Sequence, residues 1–150
     1  MRWLRALIVL AVACGTATPA TTLPATTTTT IPPPTVFGGL ELGLSDAVVQ
    51  FVGQPPDVRR VCEGRGQFAP GGEVVVKNAE DGTIIGVGRL EGEGKVLSVA
   101  GEDTCLVAFT VPLIREAPFY TVEIVGREGP LYTHDEMVEA GWLLALSLAD

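Results

Sequence analysis

The stretch 16–35 confines any folded domain of this chain to the residues that follow it. Threonine and proline dominate the stretch, with threonine at every position of 26–30 and proline at every position of 32–34, and it carries no charge. Such a composition cannot bury enough apolar surface to offset the conformational entropy that folding costs. Extended as polyproline II, the stretch would reach on the order of 60 Å. We therefore expect residues 14–35 to form a disordered tether, followed by one domain at 36–150.

Residues 1–13 have the pattern of an export signal. Arg2 and Arg5 precede an unbroken apolar run that ends in the small-residue sequence Ala-Val-Ala. A positive start, a short apolar core and a small-residue site define a cleaved signal peptide. Because Cys14 follows directly, the segment resembles a bacterial lipobox, whose cysteine receives a diacylglyceryl anchor. This resemblance implies a lipidated Cys14 and a position on the outer face of the cell membrane, with plain secretion as the alternative.

The cysteine count agrees with a lipid anchor. The chain has Cys14, Cys62 and Cys105, and an odd thiol in an exported protein requires an explanation. Lipidation of Cys14 would leave an even pair, and an oxidising compartment would join Cys62 to Cys105 in a disulfide. Two buried free thiols are the alternative. A zinc site is disfavoured, because tetrahedral sites need four ligands and the chain has a single histidine.

The charge of the chain restricts its partners. The formal net charge is −8 at pH 7, which disfavours nucleic acid and electrostatic docking to anionic lipid. No glycine-rich phosphate loop is present, and we expect no cofactor. The acidic pairs at 80–81, 91 with 93 and 102–103 fall where polar turns are expected, so we assign no metal site and keep calcium as the alternative.

Alternation of apolar and polar residues predicts β-strands in most of the domain. The Asp81-Gly82 pair is typical of a hairpin turn, and residues 45–60 are left open between strand and loop. Six or seven short strands favour a small, all-β antiparallel sandwich at 36–150. The predicted strands are 37–44, 73–77, 83–90, 95–100, 104–111, 119–125 and 142–148.

One short helix is predicted near the C-terminus, at 135–140. Thr133 and Glu136 have the spacing of a capping box, and Gly141 stands where a helix terminator is expected.

Several short motifs resemble an exported domain that occurs in many actinobacterial proteins. The motifs are Cys62, GEVVV at 72–76, DGTIIG at 81–86, Leu90, Cys105, VP at 111–112, FYTVE at 119–123, REGPLY at 127–132 and GW at 141–142. The hairpin within them is also similar to transthyretin-like and carboxypeptidase-regulatory-like β-sandwiches. The resemblance implies an exported β-rich architecture, and it supplies no mechanism because we know of no activity for that group.

The sequence nominates one candidate binding patch, Phe119, Arg127 and Tyr132. Aromatic faces stack on sugar rings and anchor protein partners, and arginine and tyrosine are frequent at binding hot spots. Tyr120 and Trp142 fall on apolar faces of their predicted strands, so we assign both to the core.

The sequence therefore predicts a surface-tethered, non-catalytic binding domain whose partner is an envelope protein or glycan. A structural spacer is the first alternative. An extracytoplasmic hydrolase is the second, since His134 is available as a base and Ser45 or Cys62 as a nucleophile.

Overall fold

Ten strands and one short helix make up the part of the chain that the structure describes. The structure is a computed structural model, described over residues 31–99 and 101–147. The predicted signal peptide, Cys14 and the tether up to residue 30 lie outside the described residues. The strands are β1 (Thr35–Gly43), β2 (Ala47–Val52), β3 (Arg59–Gly64), β4 (Glu73–Asn78), β5 (Ile84–Leu90), β6 (Gly94–Val99), β7 (Glu102–Pro112), β8 (Phe119–Ile124), β9 (Arg127–Thr133) and β10 (Leu143–Ser147). The helix α1 spans His134–Glu139, and a 3₁₀ turn spans Gly66–Phe68.

The predicted class, mostly antiparallel β-structure with one short helix near the C-terminus, is confirmed. The predicted number of strands was too low, because β2, β3 and β9 add to the seven that alternation had indicated. The strands form one open, hydrogen-bonded sheet rather than the two sheets of a sandwich.

Strand β7 is the centre of this sheet. It has 11 residues, and one of its edges pairs with β1 over residues 104–112. Its other edge is shared, since residues 102–106 pair with β6 and residues 109–110 pair with β5. The sheet therefore divides at β7 into a β6-β3-β2 branch and a β5-β4-β8-β9 branch, while β10 pairs with β1 in parallel on the far side.

The core lies on one face of β7, where Cys105, Val107, Phe109 and Val111 are all buried. Buried residues of β1, β4, β8, α1 and β10 join the same cluster. Across the ladder from Phe109, a Cβ atom at Gly38 would lie 2.2 Å from the Phe109 ring, so the core can close over β1 only where that residue is glycine.

The predicted helix caps are present. Thr133 accepts from the backbone N–H of Glu136, whose carboxylate accepts in return from the Thr133 N–H. The helix ends where Gly141 adopts a φ of 62°. Trp142 also has a φ of 62° and donates its N–H to a helix carbonyl at 2.8 Å, which completes a Schellman-type termination.

Cys62 and Cys105 are bonded to each other, and they join two strands that are not neighbours in the sheet. Their Cα atoms are 5.8 Å apart, although β6 lies between β3 and β7. In a flat sheet two strand spacings would separate them by about 10 Å, so the sheet must curl sharply here. Gly94 of β6 permits the curl, because a Cβ atom there would lie 3.1 Å from the Cys62 sulfur and 2.6 Å from the Leu106 carbonyl oxygen.

Candidate functional site

A trough with a volume of about 570 Å³ crosses the outer face of β10, β1 and β7, opposite the core. The register places Ala145 beside Gly39 and Gly39 beside Ala108. These three small residues lie in one row perpendicular to the strands, and we call this row the trough floor. Two strand spacings make the floor about 10 Å long.

Larger side chains flank the floor on both sides. Leu143 and Phe37 are paired on one side, and they are 64% and 49% exposed. On the other side Leu106 leans over the floor, since its Cδ1 would lie 2.7 Å from a Cβ atom at Gly39. The trough is therefore apolar on its floor and walls, and it exists because β1 has a glycine at its centre.

One end of the trough has a charged rim. The turn between β5 and β6 is fixed there by a 2.8 Å hydrogen bond from the Glu91 N–H to the Ala108 carbonyl, and Glu91, Glu93 and Lys95 line the trough from this turn. Glu93 pairs with Arg59 at 3.2 Å, whereas within the described residues Glu91 and Lys95 have no ion-pair partner. With the Arg59 guanidinium included, the rim has two carboxylates and two cationic groups, so it carries no net charge.

The other end of the trough opens at β10. Over residues 31–99 and 101–147, β10 pairs only with β1, so its second edge is free.

The three residues of the predicted patch do not come together. Tyr132 pairs with the buried Tyr120 across the β8-β9 hairpin, so the side chains of Tyr132 and Tyr120 lie on the same face of the hairpin. Phe119 precedes Tyr120 in the same strand, and its side chain points to the opposite face, where it is 37% exposed. The Tyr132 ring is partly buried and packs against the core rather than in a solvent-facing patch with Phe119, and this burial raises the pKa of Tyr132.

Arg127 lies at the far end of the same hairpin, five residues or about 16 Å along β9 from Tyr132. Its guanidinium stacks 5.6 Å from the ring centroid of Phe68, a residue of the core. With the Gln67 amide oxygen turned toward it, Arg127 Nη2 donates at 3.2 Å. Arg127 thus packs the 3₁₀ turn onto the hairpin.

The only histidine belongs to an aromatic cluster. The ring of Trp142 meets those of Tyr120 and His134 edge to face, with centroids 5.7 and 5.8 Å apart. The buried Tyr120 hydroxyl accepts from the Ala117 N–H at 2.8 Å and lies 3.2 Å from His134 Nδ1. Burial raises the pKa of Tyr120. His134 Nε2 faces the Glu116 carboxylate at 3.9 Å.

The nucleophiles considered from the sequence are engaged elsewhere. Ser45 donates to the Asp46 carboxylate at 3.1 Å, and Cys62 is bonded to Cys105. Within the described part of the chain, no group of three His, Cys, Asp or Glu side chains is arranged to hold a metal ion.

The trough floor was not predicted from the sequence. Gly39, Ala108 and Ala145 are more than a hundred residues apart at their extremes, and only the pairing of β1 with both β7 and β10 places them in one row. The register that aligns them is a non-local property.

Comparisons with known proteins add no relative: no protein-family model, curated protein or solved structure matches this chain. The resemblance to an exported actinobacterial domain therefore stays a prediction. Across residues 31–99 and 101–147, no helix has the length and apolar character needed to span a membrane.

Proposed function

We propose that this chain is a non-catalytic binding domain, held by a lipidated Cys14 on the outer face of the cell membrane, whose ligand occupies the trough. The observation that carries the proposal is the floor of small residues between exposed apolar walls. Ligands bind preferentially in concave, mostly apolar sites of about this volume.

The lining of the trough favours a protein segment over a glycan. Sugar rings stack on aromatic faces. The trough floor of Gly39, Ala108 and Ala145 has no aromatic ring, and Phe37 stands only in the wall beside it. The apolar floor suits an extended peptide with small or aliphatic side chains. The net charge of −8 favours lysine or arginine over acidic residues in that peptide, and the Glu91 carboxylate at the rim can accept a hydrogen bond from such a side chain. The ligand is thus an extended, apolar and basic segment of an envelope protein.

The spacer role and the hydrolase remain as alternatives. A spacer would have no ligand, and the trough would then be an unused surface. A hydrolase would require His134 to meet a nucleophile, whereas His134 contacts Tyr120 and Trp142.

The test compares peptides that differ only in charge. The full chain, carrying Cys14→Ser so that no lipid is attached, is titrated with two extended peptides in which leucine and alanine alternate with lysine or with glutamate. We expect saturable binding of the lysine peptide and at least tenfold weaker binding of the glutamate peptide.

Two variants locate the site. Ala108→Leu fills the trough floor and should weaken binding at least tenfold, about 1.4 kcal/mol. Thr121→Leu makes a comparable enlargement on the outer face of β8, away from the trough, and should leave binding unchanged. If both variants bind the lysine peptide equally well, the ligand does not occupy the trough. If no peptide and no envelope fraction shows saturable binding, the binding proposal is wrong and the spacer role is favoured.

A further inference from the structure

The free edge of β10 offers a row of unpaired backbone groups. Phe37 donates its N–H to the Trp142 carbonyl at 2.9 Å, so the even-numbered residues of this segment face β1. Because strand residues alternate in the direction of their backbone groups, Leu143, Ala145 and Ser147 direct their N–H and C=O groups away from β1. In the described part of the chain the Leu143 N–H donates to the Ala140 carbonyl at 3.2 Å, and no strand pairs with the Leu143 carbonyl or with the backbone groups of Ala145 and Ser147.

This edge has none of the features that prevent edge-to-edge pairing. Natural sheets protect their edges with charged residues, proline or bulges. The β9 edge has Pro130 and a register shift, but β10 pairs with β1 without a shift. The segment 141–147 also contains no charged residue in a chain of net charge −8, so a second copy can approach there without placing like charges side by side.

We propose that β10 pairs antiparallel with β10 of a second copy, about a two-fold axis through Ala145. Ala145 then faces its own counterpart as a hydrogen-bonded pair, and Leu143 of each copy lies opposite Ser147 of the other. A two-fold contact of this kind is self-complementary and closes the assembly at a dimer.

The pairing would also complete the trough. The floor row Ala108, Gly39 and Ala145 ends at the free edge, and the second copy continues it in reverse order over three more strands. Five strand spacings give a continuous floor about 24 Å long, with the Glu91 and Glu93 rim at both ends. The lengthened trough rests on the proposed function, whereas the pairing itself does not need the ligand.

A cysteine placed at the two-fold axis tests the pairing. In a hydrogen-bonded antiparallel pair the Cα atoms are about 5.5 Å apart, and the Cβ atoms are slightly too far apart for a direct disulfide, so a short bis-maleimide is used to join the two thiols. Ala145→Cys, in a full chain carrying Cys14→Ser, should therefore give a covalent dimer on a denaturing gel. Leu131→Cys on the protected β9 edge and Gln50→Cys on the β2 edge are the matched controls. We expect Ala145→Cys to cross-link at least tenfold faster than either.

Analytical ultracentrifugation of a chain with an unmodified β10 measures the oligomeric state independently of the cross-linking. The Cys14→Ser chain should shift from monomer to dimer as its concentration rises. Ala145→Pro should stay a monomer, because it removes an outward N–H without breaking a bond to β1. Ala145→Lys serves the same purpose if circular dichroism shows that the proline variant is misfolded.

Cross-linking of Ala145→Cys no faster than the controls, or a monomer at all concentrations, would overturn the proposal. Preferential cross-linking of Gln50→Cys would move the contact to β2 and overturn it equally. These measurements contain no peptide, so a negative result for the dimer does not affect the proposed ligand. A monomeric chain that still binds the lysine peptide would refute the pairing of β10 and support the trough as a binding site.

Discussion

Reduction of the Cys62–Cys105 disulfide should remove a large part of the stability of this domain. The bridge spans 43 residues of sequence. The chain-entropy relation for a loop of that length gives about 4 kcal/mol, against a total of about 5–15 kcal/mol for an ordinary domain. For a domain of this size that loss lowers the melting temperature by about 15 °C.

The location of the disulfide supports the full stabilisation of about 4 kcal/mol. Both cysteines are buried, and they connect β3 to β7 across the point where the sheet curls. The chain between them includes β4, β5 and β6, so the loop that the bridge closes in the unfolded chain contains three of the ten strands.

The assay is denaturant unfolding of the full chain carrying Cys14→Ser, oxidised and after reduction. The reduced chain keeps both sulfur atoms, so the comparison isolates the cross-link from the packing. A Cys62→Ala/Cys105→Ala variant controls for other effects of the reductant, because the reductant should not change the unfolding of a chain that has no disulfide. A difference below about 1 kcal/mol between the oxidised and reduced chains would refute the reasoning, because the bridge would then not restrict the unfolded state as the loop length requires.

Two further predictions concern the same region. Gly94→Ala places a Cβ atom 2.6 Å from a β7 carbonyl oxygen and should destabilise the fold by about 2 kcal/mol in thermal unfolding. The control Gly92→Ala, whose Cβ atom would have its nearest neighbour at 4.0 Å, should stay within about 0.5 kcal/mol of the parent. Equal effects of the two substitutions would contradict the close approach of β6 to β7 at Gly94. The hydrogen bond from Arg60 lowers the pKa of Asp103, so the unfolded state takes up its proton first and this part of the stability is lost as the pH falls below about 4. The difference in unfolding free energy between the parent and Asp103→Asn should therefore shrink in acid. A difference that stays constant with pH would count against the Arg60–Asp103 ion pair.

The strands that the sequence predicted are those whose alternation is clear. In β7 and β8 the buried residues fall at every second position, and in β4 Val74 and Val76 are buried together with Val75 between them. The Asp81-Gly82 turn and the capping box of Thr133 also carry their information in a few adjacent residues. Local signals of this kind can be read without knowledge of the fold.

The strands that were missed lack such a signal. In β3 two arginines precede a single buried cysteine, and β9 contains a proline and a register shift. The turn between β8 and β9 is made by Val125 and Gly126, with Val125 at a φ of 50°, although valine is disfavoured in such turns. Pairing with neighbouring strands determines these elements, and the neighbours are distant in sequence.

The sequence by itself determined the class of the fold, the short helix with its caps and the outer or inner face of each clearly alternating strand. The tertiary structure alone decided which faces meet. It separated Phe119, Tyr132 and Arg127, which are close in sequence. Phe119 and Tyr132 lie on opposite faces of the β8-β9 hairpin, and Arg127 lies at its other end, beside the turn. It joined Gly39, Ala108 and Ala145, which are far apart, because strand register is set by long-range pairing that no local pattern records.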